Sequence, residues 1–370
     1  MSIDKDIGVG VPSMPTRTVS IDQVSFSNIS RHVERESTTM PVDEDFTIPS
    51  GLATATSSNI VSNNIAESIN KKNAAFLKAA TVQIETQGLD NVPELKSSYQ
   101  YTGKVDDIDE KTKDDPLAVS EYAEEMYEHF RKQEAQNYVR PTYLSLQPEI
   151  TNEMRSVLVD WLVSVQHDYR LSPETLYLTV NIVDRFLEVE AVPRSQLQLV
   201  GATALFIASK YEEIYAPQAH EIVHICDNTY QKEELIRMET FILRALGYKI
   251  SLPTAHTFLV RYLKAGHADE QISQIACYVL EHSLTSYELL QFLPSELAAA
   301  SVLIARCSAY RNPWSATLLT YANYLEEEVT PVARAILEHR VCASPDLTAV
   351  NNKYGSRYYG RVSGLVLWCE

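Results

Sequence analysis

Met154, Val157, Leu158 and Trp161 recur at i, i+3, i+4 and i+7, the spacing that sets side chains on one face of an α-helix. Val159, Leu162 and Val163 are apolar as well and lie on its other sides, so the helix is apolar nearly all round. Such a helix belongs in the core of a sizeable domain. A surplus face carrying Trp and Met also suits docking, since both are favoured anchors at interfaces.

Further helices follow the same period. Leu117, Tyr122, Met126 and Phe130 predict an amphipathic helix whose apolar face needs a surface, either this chain or a partner. Arg140-Pro141 and Gln147-Pro148 break the pattern before the Met154 helix. Ser172-Pro173-Glu174 reads as a capped start for a helix through Leu187. Gly201, Ala202, Ala204 and Ala208 make Leu197 to Tyr211 a helix of small residues, which other helices can approach closely. A short helix is predicted from about Pro217 to Ile225, and another from about Gln231 to Leu246, stopped by Gly247.

The pattern then restarts. A shift of about 97 residues lays Gly201-Ala202-Thr203-Ala204-Leu205-Phe206-Ile207-Ala208 over Ala298 to Ala305, and Leu176 to Leu187 over Ser273 to Leu284. The predicted fold is all-α, two tandem five-helix bundles, each with a small-residue helix at its heart. The repeat is also an internal control. Trp161 maps to Phe258, as a shared core need would have it. Lys210 maps to Cys307 and Glu239 to Ile336, so those two charges are not what the fold requires.

Composition narrows the function. Residues up to about Asp115 are rich in Ser, Thr, Asn and Asp without a sustained apolar period, which predicts a disordered tail, with a local helix around Asn73 to Glu85. The charge-dense Asp106 to Asp115 stretch reads as the last solvated linker. The expected division is 1–115 tail, 116–150 N-terminal helix and linker, 151–250 first bundle, 251–345 second bundle and 346–370 C-terminal extension. A net charge of −17 argues against sequence-independent nucleic-acid binding. The cysteines at 226, 277, 307, 342 and 369 form no CxxC pair, which argues for free thiols in a reducing compartment. With neither a membrane-length apolar run nor a signal-peptide core, a soluble intracellular protein is expected, with no membrane partner.

One motif points to metal chemistry. His220-Glu221-Ile222-Val223-His224 is a literal H-E-x-x-H, which on a helix can set two imidazoles on a zinc ion with Glu as general base. The extension H-x-x-G-x-x-H does not follow, and a third ligand would have to come from Glu233, Glu234 or Glu239. Gly8-Val9-Gly10 lacks the later glycine of a dinucleotide site.

Taken in order, the Met154 to Trp161 stretch, Asp184-Arg185-Phe186-Leu187, Leu197-Gln198-Leu199-Val200-Gly201, Ala208-Ser209-Lys210-Tyr211-Glu212-Glu213 and Arg237-Met238-Glu239 resemble the cyclin box. The likeness covers about Pro116 to Ser363. Tyr211, Leu293-Pro294-Ser295 and Leu347 through Lys353-Tyr354 are most similar to mitotic B-type cyclins, with A-type close behind. The resemblance implies a non-catalytic subunit, without cofactor or metal, that activates a cyclin-dependent protein kinase at the G2/M transition. It implies that Lys210 and Glu239 bond kinase backbone, with Tyr211, Leu243, Tyr248, Ile250, Tyr122 and Met126 as the apolar rim of that contact. Met154, Val157, Leu158, Trp161, Leu197 and Gln198 match the patch that receives Arg-x-Leu segments of substrates and inhibitors. A family Glu that helps hold the peptide Arg falls at Ser164, which implies a weaker Arg preference. Arg155 and Asp184 match a buried ion pair tying two helices. The family places the protein in nucleus and cytoplasm. A transcription factor IIB-type scaffold shares the tandem fold, but it would bring a zinc ribbon and a basic surface, and this chain has no cysteine before Cys226. The tail departs from the mitotic pattern: Arg17, Arg31 and Arg35 are not followed by Leu at the third position, and Lys-Glu-Asn is missing.

Overall fold

The computed structural model describes residues 103–367. The expected tail up to residue 102, its local helix at 73–85 and Cys369 lie outside them. Twelve α-helices and no strand occur among the described residues. Helix α1 spans Ala123–Gln136. The first bundle is α2 (Asn152–Asp168), α3 (Pro173–Val189), α4 (Leu197–Glu212), α5 (Ala219–Ile225) and α6 (Lys232–Ala245). The second is α7 (Ala255–Ala265), α8 (Glu270–Ser283), α9 (Pro294–Ser308), α10 (Ala316–Ala322) and α11 (Glu326–Cys342). A short α12 (Ala349–Tyr354) closes the chain.

The 97-residue offset holds in space. Pro173 and Glu270 begin α3 and α8, Leu197 and Pro294 begin α4 and α9, and Ala219 and Ala316 begin α5 and α10. Even the caps correspond. Ser172 accepts the Thr175 amide ahead of α3, and Asp269 accepts the Ile272 amide ahead of α8. In each bundle the small-residue helix is central: α4 is buried from Leu199 to Ser209 and α9 from Ala298 to Ala305.

Gly201 shows why small residues are needed there. A Cβ at this position would come within 2.6 Å of Leu158 Cδ1, so the close approach of α2 and α4 depends on glycine. The second bundle reaches the same approach differently, with Ala298 at the place of Gly201 and Ala255 at that of Leu158, both buried.

Two expectations need correction. The Asp106 to Asp115 stretch is not a solvated linker. Asp109 accepts both Arg261 Nη1 and Nη2 at 2.7 Å and Lys264 Nζ at 2.8 Å, and the three charges hold this segment to α7. Ile108 is buried beside it. Helix α1 begins later than the spacing of Leu117 suggested, and Leu117 is 90% exposed ahead of it. The surface that α1 rests on is the second bundle. Tyr127 Oη donates to Thr257 O at 3.1 Å, and Arg131 donates to Tyr262 Oη at 3.1 Å. Glu134 takes the Ser295 amide and hydroxyl at 3.0 and 2.6 Å, capping α9 from another helix. Burial raises the pKa of that carboxyl, and the two Ser295 bonds work against the rise. No helix among the described residues is long and apolar enough to cross a membrane.

Candidate partner-binding face

Lys210 lies in the last turn of α4, and Glu239 lies mid-way along α6, which packs beside it. The Lys210 ammonium donates to Glu239 Oε1 and stands 4.1 Å from the centre of the Phe206 ring. The Lys210 side chain is 43% exposed, so two of its three donors have room for acceptors from another molecule. An exposed ion pair contributes little to stability, with about 0–1 kcal/mol typical.

Several large apolar side chains on the same and other elements are open to solvent. Tyr211 is 52% and Tyr248 66% exposed. Tyr122, just ahead of α1, and Met126 within it are exposed, and Leu243 is half-buried. Tyr248 follows Gly247 in a turn with φ of +57° and +59°, a left-handed conformation uncommon for a non-glycine residue. Arg185 Nη1 steadies that turn by donating to Lys249 O at 2.8 Å. The turn sends Tyr248 outward and Ile250 inward. Ile250 is buried, so it offers little surface of its own to a partner.

The sequence pattern missed Ile214 and Tyr215, which are 91% and 93% exposed in the link after α4. Their neighbour Glu213 ends that helix by accepting the Ser172 amide and the Thr175 hydroxyl at 2.7 and 2.6 Å. Two apolar residues between that anchor and Pro217 were the available signal. Phe241 was missed too; it is half exposed and meets Phe186 edge-on at 5.4 Å. Exposed apolar side chains of this size are the kind that interaction sites use.

A second surface lies along α2. Met154, Val157, Trp161 and Gln198 are half-buried and reachable. Leu158 and Leu197 are buried, so they floor the patch instead of lining it; Leu158 is taken up by its contact with Gly201. Trp161 and Phe258 do not share one role, since Phe258 is fully buried and Trp161 is not.

Arg155 and Asp184 are buried together. Arg155 Nε and Nη2 donate to the two Asp184 oxygens at 2.6 and 2.7 Å, Tyr143 Oη donates to Oδ1 at 2.7 Å, and Arg155 Nη1 reaches Leu284 O of the second bundle at 3.0 Å. Burial and the facing carboxylate push the Tyr143 hydroxyl far above its usual range. The H-E-x-x-H residues form no comparable centre. His220 and His224 are exposed, and Glu221 Oε2 accepts the Gln218 amide at 2.6 Å as the cap of α5. Among the described residues no cluster of three or more His, Cys, Asp or Glu is gathered as a metal ion requires.

Comparison with known proteins gives one answer. The family model for the cyclin N-terminal domain matches residues 125–251, and that for the cyclin C-terminal domain matches 253–366. Cyclin-B2-1 of Oryza sativa subsp. japonica is 41% identical over 256 residues, covering 69% of this chain and 61% of its own. G2/mitotic-specific cyclin-B of Spisula solidissima is 39% identical over 293 residues, covering 79% and 68%. The chain thus spans about 60% of the length of the rice relatives it matches. Among solved structures, a viral cyclin from herpesvirus saimiri superposes with a TM-score of 0.52 at 21% identity, covering 57% of this chain and 94% of that one.

Proposed function

This chain belongs to the cyclin family, with B-type and G2/mitotic-specific cyclins among its relatives, and we propose that it is the activating subunit of a cyclin-dependent protein kinase at the G2/M transition. It is regulatory rather than catalytic. The observation that carries this reading is the Lys210–Glu239 pair. Its Lys end is open to solvent, Tyr211, Ile214, Tyr215 and Tyr248 are exposed in the segments that follow α4 and α6, and the second bundle puts Cys307 and Ile336 at the same two places. In this reading Lys210 donates charge-assisted bonds to kinase backbone carbonyls and Glu239 accepts a backbone amide. A protein kinase is active only when its β3 Lys–αC Glu pair and its metal-binding Asp are in place. A subunit that binds that arrangement in preference shifts the kinase towards it, by no more than its differential affinity.

Half-exposed Met154, Val157, Trp161 and Gln198 support substrate and inhibitor docking on α2, where an Arg-x-Leu segment would lay its Leu over the floor of Leu158 and Leu197. Ser164 offers no charge for the peptide Arg. We place the protein in nucleus and cytoplasm, without nucleic-acid or membrane partners. A histone kinase assay tests the main claim. Wild type is expected to activate the kinase, and Lys210→Ala/Glu239→Ala to lose activation while keeping its stability in urea unfolding to within about 1 kcal/mol. Unchanged activation by the double variant would sink the reading.

A further inference from the structure

Asp184 in α3 and Glu281 in α8 stand at equivalent places, 97 residues apart, and both are buried. A carboxylate taken out of water needs a cation and a full set of hydrogen bonds. The first bundle provides the cation from its own first helix, as Arg155. The residue at that place in the second bundle is Leu252, which has no charge to give.

Glu281 is satisfied from elsewhere. Lys353 of α12 donates to both of its oxygens at 2.7 Å, and the same ammonium donates to Gln166 Oε1 of α2 at 2.8 Å. The paired side chains are 3% and 2% exposed. Tyr354 Oη adds a bond to Glu281 Oε2 at 3.1 Å. Two more contacts hold the segment down. The Ala349 amide donates to Asp160 Oδ1 of α2 at 3.0 Å, and Tyr278 Oη of α8 donates to Asn351 Oδ1 at 2.8 Å. Tyr359 then meets Tyr354 at a tilt, with ring centres 4.8 Å apart. The linker that precedes all this is exposed at Ser344, Pro345 and Asp346.

We infer that residues 346–367 are an intramolecular ligand, a clasp whose Lys353 ammonium enters a cradle of Glu281 and Gln166. It supplies Glu281 with a cation where the second bundle has Leu252 just ahead of α7, and it ties that bundle to the first. The cradle is a receptor for one primary ammonium carried on a short helix and followed by a tyrosine. The clasp also bears on the partner face, and this clause rests on the kinase reading: Lys210 and Glu239 belong to the first bundle, whereas Met126 rides on α1, with Tyr122 just ahead of it, and α1 is bonded to the second. In that reading, whatever fixes one bundle against the other fixes the two parts of the kinase-binding face relative to each other.

The test uses the full chain with a protease recognition sequence inserted between Ala343 and Ser344, cut in the folded state and run on gel filtration. The cut segment is expected to travel with the body in wild type and to separate from it in Lys353→Met. Glu281→Gln keeps the hydrogen-bonding shape while removing the charge, and it is expected to release the segment too. Retention by both variants, or release from wild type, overturns the clasp. In the uncut chain, Lys353→Met is expected to speed amide exchange in α8 by about a hundredfold or more, as loss of one partner of a buried pair does, and to leave α3 nearly unchanged. Equal acceleration in α3 and α8, or none in α8, overturns it as well. Neither readout involves a kinase, so a failure here is separate from a failure of the kinase reading.

Discussion

The two bundles are built on one plan and differ in what they carry on it. Each has five helices at a constant offset, a central small-residue helix, and a buried acid at the same place on its second helix. The first neutralises that acid with its own Arg155, and the second takes Lys353 from the C-terminal extension. The first carries the Lys210–Glu239 pair, with Lys210 43% and Glu239 15% exposed, and the second has Cys307 and Ile336, the latter buried. What both bundles share, the fold requires. What only the first shows must be explained by something outside it.

The largest effects break the shared plan. Arg155→Met leaves the Asp184 carboxylate buried without its cation, and a loss of about 3–5 kcal/mol is expected in urea unfolding. Smaller changes exploit the exchange of sizes between Leu158–Gly201 and Ala255–Ala298. Gly201→Ala forces a methyl onto Leu158 and should cost about 1–3 kcal/mol. Leu158→Ala opens a cavity and should cost about 2–5 kcal/mol. Together they reproduce the second bundle's pairing, so the double variant is expected to lose clearly less than the sum of the two.

Acid separates the bundles by sign. In the first, burial raises the Asp160 carboxyl to about 6, against the pull of the Ala349 and Thr348 amides. The folded state therefore binds that proton more tightly than the unfolded one, and a cost present above pH 6 is relieved as pH falls towards the ordinary carboxylate range. In the second, burial and then the neighbouring His339 and Arg340 lower His282 to about 4. Its contribution is complete above about pH 6.5 and is lost as pH falls towards 4. Between pH 6.5 and 4, Asp160→Asn is expected to steepen the fall in the unfolding midpoint, and His282→Gln to flatten it.

Much of this was legible in the residues. Ser172-Pro173 and Gly247 mark helix ends because capping is local chemistry, and the offset of 97 survives because both cores need small and large residues in the same order. What escaped was decided across the chain. Asp109 looks solvated until Arg261 and Lys264, more than 150 residues on, are brought to it. Leu158, Leu197 and Ile250 have the same apolar character as their exposed neighbours, and only packing shows that they face inward. Lys353 reads as a surface lysine until α8 brings Glu281 under it. The contrast with Cys307 and Ile336 singled out Lys210 and Glu239, but their pairing required α4 and α6 to lie side by side.

The smallest expected effect on stability belongs to the pair on which the functional reading depends. Lys210→Ala/Glu239→Ala should stay within about 0.5–1 kcal/mol of wild type, since exposed ion pairs contribute little. The decisive measurement is calorimetric titration of a cyclin-dependent kinase catalytic subunit into wild type, this variant, and Arg334→Ala/Glu338→Ala, which removes two exposed charges from α11 of the second bundle. A loss of about a hundredfold or more in affinity is expected for the first-bundle variant and none for the second-bundle control. Equal affinity for all three, or an equal loss in both variants, would contradict the account.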